Sequence, residues 1–148
     1  MFGFSFLCLF GLVLAHGNYP YDTYLKLTRE SDLVVEGTVL RVFTSRDAPR
    51  ARQANGMPGA DEILKQHSLV WLKVDRVHKA DVEPGESLYL HSWSLYHAPP
   101  SCSDATDRGL LTVARSDDRV QAFVKRNASD NSLQLVDLEI LVRQSASL

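Results

Sequence analysis

Five apolar runs of strand length, each bounded by turn-forming residues, constrain this chain more than any other feature. The clearest runs from Ser68 to His78, where Val70, Leu72 and Val74 alternate with Trp71, Lys73 and Asp75. Side chains on a strand point to opposite faces in turn, so this period of two gives one apolar face and one mixed face. Asp32 to Phe43 is rich in Val and Leu and is interrupted by Gly37. A glycine inside such a run predicts a bulge or a bend. Ser87 to Trp93 sets Leu88 and Leu90 against Tyr89, His91 and Trp93. Arg119 to Lys125 and Leu133 to Val142 form a last pair, with the polar turn 127–132 between them. Five strands in an open sheet expose two edges, and closing the sheet removes them. The expected fold is therefore all-β, a small five-stranded barrel.

Between these runs the chain changes character. Tyr21, Tyr24, Leu25 and Thr28 recur at helical spacing and predict a short helix before the first strand. Residues 44–66 contain Pro49, Gly56, Pro58 and Gly59 with Arg46, Arg50 and Arg52. They read as a long exposed loop with a helical turn over 60–65. Residues 96–109, which include Cys102, read as a second loop. The expected organisation is a leader over 1–15, an N-terminal segment with the short helix over 16–31, and the barrel over 32–148.

The leader is read from the first seventeen residues, which carry no charged side chain. Phe4 to Leu14 is almost wholly apolar. Eleven helical residues span about 16 Å, roughly half of a bilayer's hydrocarbon core. That length suits the apolar stretch of a secretory signal, with Val13 and Ala15 at the cleavage positions. Secretion is the expected localisation, with no membrane span once the leader is removed. Cys8 leaves with the leader, so Cys102 stays as a lone thiol in an oxidising compartment, a candidate for a disulfide-linked partner. Asn127-Ala128-Ser129 then becomes a candidate glycosylation site.

The balance of 16 basic and 18 acidic residues, a net charge of −2, gives no basic excess of the kind nucleic-acid binding uses. No nucleic-acid partner is expected. Metal and catalytic patterns are equally thin. A mature N-terminal His16 offers an amine and an imidazole that suit copper, with His67, His78, His91 or His97 as a second donor. His91, His97 and Cys102 do not follow a zinc spacing. Ser92, Ser94, Ser101 and Ser103 lie near His97 and Asp104, yet the Gly-x-Ser-x-Gly elbow is absent. No enzyme activity and no cofactor are expected. The aromatic positions Trp71, Tyr89 and Trp93, with His91 among them, share the face opposite the apolar one. They are the expected binding residues, for a protein or glycan partner.

The order of runs resembles the OB-fold, and more narrowly the netrin-like domain of tissue inhibitors of metalloproteinases. The residues that carry the likeness are 31–39 (Ser-Asp-Leu-Val-Val-Glu-Gly-Thr-Val), 70–74, 88–90, Pro100-Ser101-Cys102 and 120–124. The resemblance implies a barrel opened by a polar-Asp-aliphatic stretch, with a cysteine-containing loop after the third strand. Those inhibitors chelate the protease's zinc with a disulfide-bonded first cysteine. This chain has His16 at the expected first position, so the resemblance carries a fold and not the inhibitory wedge.

Overall fold

The computed structural model describes residues 19–50, 58–59, 61–99, 109–110 and 112–143. The expected leader, His16 and Cys102 lie outside these residues. A helix, α1 (Tyr21–Glu30), is followed by five strands: β1 (Leu33–Arg46), β2 (Leu64–Lys79), β3 (Ser87–His97), β4 (Arg119–Arg126) and β5 (Leu133–Val142). The strands form one closed sheet in the order β1-β2-β3-β5-β4. Every pairing is antiparallel except β3 with β5, which is parallel and rests on Leu90↔Leu133 and His91↔Gln134.

The alternation in the sequence selects the interior. Val70, Leu72 and Val74 from β2 meet Leu88 and Leu90 from β3, and Val120, Ala122 and Val124 from β4. All lie below one-tenth exposure. Gly37 sits at a register shift, where Glu36 faces Arg76 but Gly37 faces Val74. A Cβ there would run into the Lys73 carbonyl oxygen and come within 2.9 Å of Leu72 Cγ. Glycine is needed because two backbones approach too closely for a side chain.

On the outer side of β4, Phe123 is fully buried although it points away from the interior. Tyr19 and Tyr24 cover it edge-on, with ring centroids 6.2 and 5.9 Å away. So α1 buries none of its own residues and instead roofs one strand. Lys79 Nζ fixes the helix end, donating to the Thr28 carbonyl at 2.9 Å and the Ser31 carbonyl at 2.5 Å.

Strand boundaries differ from expectation at one end of the molecule. The loop expected over 44–66 is shorter at both ends, because β1 continues to Arg46 and β2 starts at Leu64. Its predicted helical turn is replaced at Leu64 and Lys65 by strand. Side-chain links hold this extension: Arg46 Nε donates to Gln66 Oε1 at 2.8 Å, and the Lys65 amide donates to Asp47 Oδ2 at 2.9 Å. Local composition gave no hint of these cross-strand partners. Strand β3 likewise runs past Trp93, to His97.

Candidate functional site

The extended halves of β1, β2 and β3 project as a three-stranded ribbon with two usable faces. Inward positions run Val42–Val70–Leu90 and then Thr44–Ser68–Ser92, since each trio is in register across the strands. The lining thus changes from aliphatic to hydroxyl at the mouth of the sheet. On the outward face three rows stack in register: Arg41–Trp71–Tyr89, Phe43–Leu69–His91 and Ser45–His67–Trp93. Strand alternation therefore brings Trp71, Tyr89, His91 and Trp93 together on one outer surface.

That surface is less open than alternation alone implies. Tyr89 is 50% exposed and His91 is exposed, whereas Trp71 and Trp93 are half-buried. The causes are local. Trp71 and Tyr89 stack with centroids 5.8 Å apart and planes 14° from parallel. The Lys65 ammonium lies 4.1 Å from the Trp93 ring centre, and the Arg41 guanidinium lies 5.1 Å from that of Phe43. Cations held over ring faces gain from the ring quadrupole. Between these two pairs runs a groove of about 340 Å³, bordered by Phe43, His67, Leu69, His91, Trp93 and Gln134.

Trp93 is also fixed from behind. The Leu110 amide donates to its carbonyl at 2.8 Å, and Gly109 bridges Ser94. Gly109 has φ +73°, and a Cβ there would strike the Trp93 carbonyl oxygen and come within 2.8 Å of ring atom Cε3. His67 donates to Asp47 Oδ1 at 3.0 Å. The Lys65 amide and then His67 hold the Asp47 carboxyl below the ordinary aspartate range. Asp130, in the turn before β5, is lowered by the Ser132 hydroxyl and amide, with a smaller contribution from His91.

His97 does not join His91. A register shift at Leu64/Lys65 leaves Tyr96 without a partner residue on β2 and sets His97 opposite buried Leu64. One extra residue in a strand turns all later side chains to the other face. His97 Nε2 donates to the Gly59 carbonyl at 3.1 Å instead of to Ser92 or Ser94. Among the described residues no group of three His, Cys, Asp or Glu side chains is placed to hold a metal. Asn127 opens the turn after β4, and its Oδ1 accepts from the Ser129 amide at 3.0 Å and the Ser129 hydroxyl at 2.8 Å. Phe43, Arg41, Lys65, His67 and Gly109 were not singled out from sequence as parts of the surface. Their place depends on register between strands, which no local sequence pattern carries.

No family model matches the chain, and no curated protein or solved structure matches it. Among the described residues no helix is long and apolar enough to cross a membrane.

Proposed function

We propose that this chain is a secreted, non-enzymatic interaction module that binds a protein or glycan partner through the outward face of β1, β2 and β3. The observation that carries the reading is the exposed Tyr89, stacked on Trp71 beside the groove that His91 and Trp93 border. Aromatic side chains with polar rims mark contact sites, because they supply large, stiff areas that lose water on binding. The strand order, with β3 parallel to β5, supports an OB-like barrel. In that fold the face of strands 2 and 3 is the usual binding surface. The netrin-like resemblance belongs to this proposal as a statement of fold. Secretion rests on the leader read over 1–15, and Asn127 would then be a glycosylation site. Cys102 is the position through which a disulfide-linked partner would attach.

The test uses the full chain, purified from a secreting host, against an array of glycans and a panel of purified extracellular proteins. The expected result is at least one ligand retained by the wild type and lost by Tyr89→Ala and Trp93→Ala at little change in melting temperature. Ligands held equally well by both variants would refute the surface, and an intracellular product with an uncleaved leader would refute secretion.

A further inference from the structure

The groove between Phe43 and Trp93 has a composition that separates the two partner classes left open above. We infer that it takes an acidic, extended protein segment carrying one apolar anchor side chain, an assignment that rests on the proposed docking face. Three observations point the same way. First, four aromatic rings on this surface each already give a face to a partner within the protein: Phe43 to Arg41, Trp93 to Lys65, and Trp71 and Tyr89 to each other. Sugars and bases bind aromatic proteins mainly by stacking on open ring faces. Here the two rings that wall the groove, Phe43 and Trp93, present cationic heads instead.

Second, those heads bracket the groove. Arg41 stands at the Phe43 wall and Lys65 at the Trp93 wall, with His67 and His91 between them. The nearby carboxylates Asp47 and Asp130 keep their charge but do not line the groove, Asp47 being bonded to the Lys65 amide and His67, and Asp130 to Ser132. A ligand therefore meets positive charge at both ends. Opposite charge on the partner would speed encounter and fix its direction along the groove.

Third, one aliphatic side chain lies within an otherwise mixed lining. Leu69 lies between Phe43 and His91 in register, and the groove's volume of about 340 Å³ matches the lower end of ligand-pocket sizes. It accommodates one large side chain. Phe43 is 44% exposed, an apolar wall that carries Arg41 over its ring. Protein contact sites are built this way, from a buried apolar or aromatic anchor with arginine and tryptophan around it and charge at the rim.

The experiment selects ligands from a displayed library of random twelve-residue peptides with the full wild-type chain, and measures the winners by titration. A sulfated oligosaccharide and a neutral one of the same length are measured alongside. The expected winners carry Asp or Glu on both sides of a Phe, Leu or Trp. Their affinity falls roughly fivefold or more in Arg41→Gln and in Lys65→Gln, and it weakens as salt is raised. Both variants keep the aromatic rings, and an unchanged melting temperature confirms that each is folded. Winners that are neutral or basic, or that bind both variants as tightly as the wild type, overturn the assignment. So does a selection without winners. If the sulfated or the neutral oligosaccharide binds instead and Tyr89→Ala abolishes it, the docking face stands and the acidic-segment assignment falls. If every ligand found binds Tyr89→Ala unchanged, the docking face itself falls.

Discussion

Two glycines with positive φ differ in one respect, and the difference measures how firmly Trp93 is held. Gly85 has φ +94° and open space around the point where a Cβ would sit, with nothing within 4 Å. Gly109 has φ +73°, and its Cβ would meet the Trp93 carbonyl and ring. Replacing either with alanine forces an L-residue into the left-handed region, at a cost of about 1–2 kcal/mol. Gly109→Ala adds an overlap that only movement of Trp93 can relieve, for roughly another 1–3 kcal/mol. For a chain of this size each kcal/mol lowers the melting temperature by roughly 3 °C. Gly85→Ala should thus lose a few degrees, and Gly109→Ala clearly more. Tryptophan fluorescence should change only in Gly109→Ala, because Trp93 is displaced from Lys65. Thermal melts and emission spectra of the two variants are the assay. Equal melting temperatures with equal spectra would mean that Trp93 yields freely, and that the groove has no fixed wall on that side.

Phe123→Ala should cost about 3–5 kcal/mol, as for a core aromatic, since Tyr19 and Tyr24 enclose it; Trp93→Ala should cost less than half of that, and a reversed order in chemical denaturation would contradict the face assignment. Lys79→Met should destabilise by about 1–2 kcal/mol and speed amide exchange at the end of α1, because two carbonyls lose their donor. Asp47 is depressed in the folded state, so the stability that it contributes is present above the ordinary aspartate range and is lost as pH falls through the folded value. The melting-temperature gap between wild type and Asp47→Asn should therefore close on acidification, and a gap that is constant down to about pH 2 would refute the link. Tyr19 is pushed upward, first by burial and then by Asp137 and Glu139. Its neutral form is the one that the fold keeps, so stability falls as pH rises past the ordinary tyrosine range, and Tyr19→Phe should resist alkaline unfolding better than the wild type.

Strand identity was legible wherever one face is buried. Val70, Leu72 and Val74 declared β2, Leu88 and Leu90 declared β3, and Gly37 announced the irregularity in β1. What could not be read was the part of each strand that leaves the interior. Thr44, Gln66 and Ser94 carry no apolar pattern because they line an open mouth, so the ends of β1, β2 and β3 passed for loop. The binding face was half legible for the same reason. Period two placed Tyr89, His91 and Trp93 on one side, but the partners that half-cover them come from other strands through registers that no local pattern encodes. His97, read as part of a loop, is instead the last residue of β3, where the unpaired Tyr96 reverses its phase relative to His91.

The parallel pairing of β3 with β5 consists of two residue pairs, while β1 and β2 share a dozen positions. Its members are Leu90 with Leu133 and His91 with Gln134, whereas the other seam between the ribbons β1–β2–β3 and β4–β5, that of β1 with β4, has six pairs. The seam of two pairs should therefore be the first to gape when the native state breathes. His91 is one tooth of that seam and also borders the groove. A ligand gripping His91 from outside would slow the breathing, and hydrogen exchange at Leu133 and Gln134 would register it as protection far from any new contact.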